Sequence, residues 1–211
     1  MVDGRQWLEI LHSGEASLGF NQGFKILYCP LTTLVTAKVA FLSLNPGPAP
    51  EGADLRVVSD ERGNSYEVER YITRSPITDQ FLRMTEFLGM APTDVLTGVV
   101  APFRSAEWNS LSSAQRAGSL EIGRQFWNEP LLRPDLSLMI TSSQDATDLV
   151  CTITRARLEK TFPSGWGTIN LKRFRTSNGR TVIQLPQLSR YKLFSRKACE
   201  TPLRRLFGLL E

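Results

Sequence analysis

Four short apolar runs, at residues 38–44, 95–101, 136–141 and 181–185, constrain this chain more than any other feature. Runs of that length, bounded by turn-forming residues, read as strands buried on both faces. Between them lie segments with helical spacing. Residues 77–89 place Phe81, Leu82, Met84, Thr85 and Leu88 three and four apart, with Gly89 as a stop. Residues 112–127 run from Ser and small residues to Ile122, Phe126 and Trp127. Residues 143–160 open on "SQDA", with acid in the first turn, and close on Arg and Lys. A short amphipathic helix is expected near the N-terminus, with Trp7, Leu8 and Leu11 on one side, and a last one over 202–210. Strands alternating with helices imply an α/β fold: a three-layer α/β/α sandwich around a central, mainly parallel four-stranded sheet. The segment "GTINLKRFRTSNGRTVIQLP" adds a β-hairpin around Ser177-Asn178-Gly179. Residues 51–71 read as a long loop or lid. At 211 residues the expectation is one domain, 1–211, large enough to bury a core.

The strand ends carry the chemistry, because ligands of open parallel sheets bind outside the carboxyl ends of the strands. The first run stops at Asn45-Pro46-Gly47-Pro48. Pro46 lacks the N–H a ladder needs, Gly47 admits backbone angles closed to other residues, and Pro48 stiffens the exit. The second run ends in Ala101-Pro102-Phe103-Arg104-Ser105. The third ends in Thr141-Ser142-Ser143, opening a helix whose N–H groups can hold an anion. The fourth ends in Leu185-Pro186-Gln187-Leu188-Ser189-Arg190-Tyr191. Each residue also has a plainer reading. Asn45 forms turns, Phe103 packs cores, Ser189 caps helices, and Trp108 and Trp166 pack or line rims.

Charge is unevenly spread. Residues 151–211 hold 13 Lys or Arg against three Glu, while the first 150 hold 12 basic against 18 acidic groups. The C-terminal part therefore carries +10 and the rest −6 within a net +4. That is either a polyanion footprint or a solvated Lys/Arg-rich surface. The three cysteines, Cys29, Cys151 and Cys199, are far apart without a CxxC, and His12 is the one histidine. Neither a zinc site nor a disulfide framework is expected, which suits reduced thiols in the cytoplasm. No apolar run reaches the roughly 18–20 residues of a membrane helix, and "MVDGRQWLEILHSG" lacks the pattern of a secretory signal.

Taken in order, "LNPGP", "APFRS" and "LPQLSRYKL" resemble motifs of the uracil-DNA glycosylase superfamily, the first being similar to its single-strand-selective branch. The resemblance is spread over residues 38–195. It implies base excision repair chemistry without metal or cofactor: a base flips into a pocket and water hydrolyses its N-glycosidic bond. It implies Asn45 as water orienter and Gln187 as donor to the departing base. Pro46, Gly47, Val99 and Phe103 fall at base-binding positions, with Phe103 the stacking platform. Pro48, Ser143, Ser189, Arg190 and Lys192 fall at phosphate-binding positions. Two positions depart from the family: Gln187 stands where a histidine is usual, and Val99 where a base-reading asparagine is usual. Three readings stay open: a DNA glycosylase-like N-glycosidase for a damaged or modified base, a catalytically degenerate nucleic-acid-binding member of the fold, and a pocket recast for another ligand or partner. The implied partner is DNA, single- or double-stranded, met by a monomer.

Overall fold

In the computed structural model, which describes residues 3–49, 51–73 and 75–210, the four apolar runs lie side by side as parallel strands. In chain order the strands are β1 (Phe24–Lys25), β2 (Val39–Ser43), β3 (Arg56–Val57), β4 (Val95–Val99), β5 (Leu138–Ser142), β6 (Arg157–Pro163), β7 (Asn170–Arg175) and β8 (Thr181–Leu185). The helices are α1 (Gly4–Ser17), α2 (Thr33–Thr36), α3 (Ser65–Val68), α4 (Arg70–Thr73), α5 (Pro76–Leu88), α6 (Ser113–Leu132), α7 (Gln144–Thr154) and α8 (Lys197–Leu206). The main sheet runs β4-β2-β5-β8-β7-β6, and β1 pairs with β3 in a small parallel ribbon. Every residue of β2 and β4 is buried, as their unbroken apolar character requires.

Side chains of one strand alternate between two cores. Ala40, Leu42, Leu96, Met139 and Val182 pack with Leu11 of α1, Phe126, Trp127 and Leu131 of α6, and Val150 of α7. Val39, Phe41, Val95, Ile140 and Ile183 pack with Phe81 and Met84 of α5 and Leu203 and Leu206 of α8. Helices therefore cover both faces of the sheet. Gly123 sets the approach of α6: a Cβ there would lie 1.7 Å from the Val100 carbonyl oxygen. Among the described residues no helix is long and apolar enough to cross a membrane, and the three cysteines are free thiols.

Four expectations need correction. The sheet has six strands of mixed direction, because the hairpin of β7 and β8 is joined by β6, which pairs antiparallel with β7. The extra pair covers the edge that β8 would otherwise expose. The helix expected over 143–160 stops at Thr154, where Arg155 takes a left-handed φ of 56°, and the chain turns into β6. Residues 51–71 form a wall more than a lid. β3 lies in it, and α3 is capped by Asn64, whose side chain accepts from the Tyr66 N–H and donates to Pro92 O and Thr97 Oγ1. The last helix spans Lys197–Leu206 with Pro202 inside it, so this proline does not mark a helix start.

Candidate functional site

The carboxyl ends of the parallel strands are in step: Ser43 pairs with Val99 on one side and with Ser142 on the other, and Ser142 pairs with Leu185. The turn after β2 is tied down at once. Asn45 Nδ2 donates to Pro46 O and Ser105 O, both at 3.1 Å, and the Ser105 N–H donates to Pro46 O. Since both partners are carbonyl oxygens, the atom facing them must be the amide nitrogen. Asn45 Oδ1 is then the free end of a half-buried residue lining a cavity, and it accepts from no donor among the described residues.

Gly47 is not in the left-handed region, so the backbone freedom expected of it is unused. A Cβ there would meet nothing within 4 Å, which leaves the turn open on that side. Arg104, 5% exposed, holds the turn from below through Nη1 to Gly47 O at 3.1 Å, and reaches the wall through Nε to Leu55 O at 3.2 Å. Burial pulls the Arg104 pKa down, while the nearby Tyr28 and Glu69 push it back up.

The cavity is about 590 Å³ and includes Lys25, Tyr28, Ser43, Asn45, Tyr66 and Arg104 in its walls. Tyr28 stacks on Tyr66 with ring centroids 5.3 Å apart and planes 16° from parallel. Tyr66 is buried, shares a hydrogen bond with Ser43 and rests against Phe81. Burial pushes both phenols well above the usual tyrosine range, so both remain protonated donors at neutral pH. Tyr28 is thus held in the cavity wall between partners, with Tyr66 stacked on its ring and the Lys25 ammonium 4.8 Å from its centroid.

Next to it lies a charge network in which Lys25 and Asp60 are buried and Arg62 is exposed. Lys25 Nζ donates to Asp60 Oδ2 at 3.1 Å and Ser65 Oγ at 2.8 Å, and lies 3.6 Å from Glu69. Arg62 bonds both Asp60 oxygens at 2.8 Å. Burial alone would raise the Asp60 carboxyl, but hydrogen bonds from Arg62 and Ser65 and the Lys25 charge outweigh it and hold it well below the usual carboxylate range. Among the described residues no cluster of His, Cys, Asp and Glu is arranged to hold a metal ion.

The residues singled out from sequence separate into four groups. Asn45, Gly47 and Pro48 line the cavity, and the buried Pro46 lies within the same turn. Val99 and Phe103 lie in the core. Val99 is fully buried and its carbonyl accepts from Trp127 Nε1 at 2.7 Å, while Phe103 stacks on Phe20 at 4.7 Å. Neither side chain is placed to meet a flipped base. Gln187, Ser189, Arg190 and Lys192 lie on the loop after β8, at the same sheet edge but outside this cavity, with the Gln187 side chain exposed. Gln187 serves through its backbone, its carbonyl accepting from the N–H groups of Arg190 and Tyr191. Ser143 Oγ accepts from the Ala146 N–H as the cap of α7.

Sequence reading missed Lys25, Tyr28, Asp60, Tyr66 and Arg104. One signal for them was present: Lys25 stands alone inside the apolar run "GFKILYC", and a lysine buried there requires a carboxylate partner. The chain matches no protein-family model, and no curated protein is significantly similar to it.

Proposed function

We propose that this protein is a DNA glycosylase-like N-glycosidase acting on a damaged or modified base, with the Asn45 cavity as its active site. Helices on both faces of the sheet support the three-layer α/β/α arrangement that the three motifs imply. The observation that carries the reading is the orientation of Asn45: Nδ2 is held by two carbonyls, which leaves Oδ1 unengaged among the described residues. In this reading Oδ1 accepts a hydrogen bond from the attacking water and so turns a lone pair of that water toward the sugar carbon. Tyr28, with Tyr66 stacked on its ring and the Lys25 ammonium over it, forms the aromatic part of the wall that a flipped base meets. As the glycosidic bond breaks, its electron pair leaves with the base as an anion and the sugar gains oxocarbenium character; water then adds to the sugar carbon, and the proton it loses neutralises the departed base. Buried Arg104 supplies positive charge at the cavity wall for the departing base.

The test is an excision assay over oligonucleotides each carrying one modified base, with heat and alkali to cleave the abasic product. Excision of at least one base is expected, and Asn45→Ala is expected to lower its rate by about 10²–10³ while leaving DNA affinity nearly unchanged, because water orientation acts in the transition state. Uracil is expected to be a slow substrate, since Gln187 is outside the cavity and Val99 is buried.

A second reading, a nucleic-acid-binding member without catalysis, is favoured by those same two positions. Binding of DNA with no excision of any base would select it.

A further inference from the structure

The hairpin of β6 and β7 ends in a loop that has no part in the cavity, and it is built with unusual rigidity. Ser164, fully buried, accepts from the Trp166 N–H at 3.0 Å and donates to Trp166 O at 3.3 Å, and the Ser164 N–H donates to Ile169 O. Gly165, at φ +77°, lies so close to α8 that a Cβ would be 2.1 Å from the Ala198 carbonyl oxygen. That carbonyl is the one left without a helical donor by Pro202, four residues on. The loop is thereby fixed to the first turn of α8, and the indole of Trp166 comes to rest under a cation. The Arg196 guanidinium lies 3.7 Å from the Trp166 ring centroid, and Tyr191 meets the same indole edge-on at 5.8 Å.

Around this pair, Arg190, Lys192, Arg196 and Lys197 are all exposed and none forms an ion pair among the described residues. The segment is also joined to the cavity wall. Thr78 of α5 lines the cavity, and Gln80, on the next positions of the same helix and fully buried, accepts from the Phe194 N–H at 2.8 Å and donates to Ser195 Oγ at 3.2 Å. From β2 to β7 is three strand spacings, or roughly 14 Å. The β6–β7 loop lies at the carboxyl end of the parallel strands, the same end as the turn after β2, since Pro163 pairs with Asn170 and Arg175 with Thr181.

We infer that Trp166 and Arg196 form a second nucleobase platform, outside the cavity, on which an unpaired base of a bound nucleic acid strand stacks while Arg190, Lys192 and Lys197 meet its phosphates. The guanidinium is planar, weakly hydrated and already parallel to an aromatic face in such pairs, so its outer surface accepts a base without reorganisation. Stacking on such a platform tolerates any base, since every base has a π-face. The inference rests on the nucleic-acid part of the reading above and not on catalysis.

The experiment measures affinity of the whole protein for a single-stranded thymidine 15-mer and for a 15-mer of the same charge made of abasic sites, at low salt. Trp166→Ala is expected to weaken thymidine binding about tenfold or more and to leave abasic binding unchanged. Arg196→Gln is expected to follow it on the thymidine strand, and Trp166→Phe to restore most of the affinity. Lys192→Gln is expected to weaken both strands alike. Equal loss on both strands for Trp166→Ala, with Trp166→Phe no better, overturns the platform, as does no loss on either. If Trp166→Ala does not fold, the exposed Arg196→Gln decides in its place. Absence of binding to either strand by the unaltered protein overturns the nucleic-acid reading and the platform together. Binding with the expected pattern but no excision leaves the platform standing and removes only the glycosylase.

Discussion

At the cavity floor, Lys25, Arg62, Asp60 and Glu69 face one another over 2.8–3.9 Å, and Lys25 and Asp60 are almost wholly buried. On the rim after β8, Arg190, Lys192, Arg196 and Lys197 lie exposed, with no carboxylate within ion-pair distance among the described residues. The difference lies in solvation. A buried charge is held only where partners replace its water, so Lys25 and Asp60 are committed to each other and hold the wall of residues 51–71 against β1. The rim charges keep their water and their counterions, and those counterions are what a polyanion releases on binding. Charge in the cavity builds the site; charge on the rim recruits what enters it.

Removing a floor charge tests the first half of that contrast. Asp60→Ala strands Lys25 with Glu69 as its remaining carboxylate and is expected to cost about 3–5 kcal/mol of folding stability in urea denaturation at pH 7. Because Asp60 titrates lower in the folded protein than in the unfolded chain, its contribution is complete above the unfolded pKa of about 3.9 and fades as pH falls through the lower folded value. The gap between Asp60→Asn and the unaltered protein is therefore expected to be level from pH 7 to 5 and to narrow only below about pH 4. A cost below about 1 kcal/mol, or one that shrinks with added salt, would mean that water reaches the network.

The turn above the floor is expected to be less demanding. Asn45→Asp replaces the amide nitrogen by oxygen facing Pro46 O and Ser105 O, two acceptors it cannot satisfy when ionised. A loss of about 1–3 kcal/mol is expected at pH 7, easing in acid as the new carboxyl gains a proton and donates to one of them. A pH-independent cost would show that the side chain has turned away from both carbonyls.

On the rim the expected change is in salt dependence. The double variant Arg190→Gln, Lys192→Gln leaves stability within about 0.5 kcal/mol, as surface substitutions usually do. It is expected to lower the slope of log affinity against log salt by about two, one for each lost phosphate contact. An unchanged slope would assign the footprint elsewhere, the exposed cations of β6 being the next place to look.

The four parallel strands were legible because β2 and β4 are buried on both faces and β5 and β8 nearly so, and continuous apolar runs have few other solutions. The ends of β2 and β4 were legible for a different reason, since Pro46 and Pro102 lack the N–H that a ladder needs. The partner of a residue was not. Phe103 and Tyr28 are both aromatic residues near strand ends, and only packing decides that Phe103 goes under Phe20 while Tyr28 faces the cavity. The wall residues Asp60 and Tyr66 lie in a polar segment whose order comes from long-range bonds, such as Leu27 N–H to Val58 O, that no local pattern encodes. Strand β6 was hidden by its charge: Arg157 pairs across from Arg175 and Lys160 from Arg173, so it lacks the apolar alternation of a strand. Glu159, bonded to Arg173 at 2.8 Å and near Arg175, offsets part of that repulsion.

Ser143 gives the smallest expected effect, and it separates a structural hydroxyl from a ligand-binding one at the same sheet edge. Its position at the start of α7 suits a phosphate in principle, since free N–H groups and the helix dipole meet there. In the structure its Oγ accepts from the Ala146 N–H at 3.1 Å, so one of those donors is already used, and its carbonyl accepts from Thr147 Oγ1 at 2.7 Å. Ser143 is also outside the Asn45 cavity. Ser143→Ala therefore removes a helix cap, at about 1 kcal/mol of stability, while oligonucleotide affinity and its salt slope stay unchanged. Ser143→Asp keeps the cap and adds a negative charge at the positive end of the helix dipole, so it is expected to restore the stability. It would repel a phosphate bound there. Lower DNA affinity for Ser143→Asp together with full stability would move the phosphate track from the rim to the end of β5.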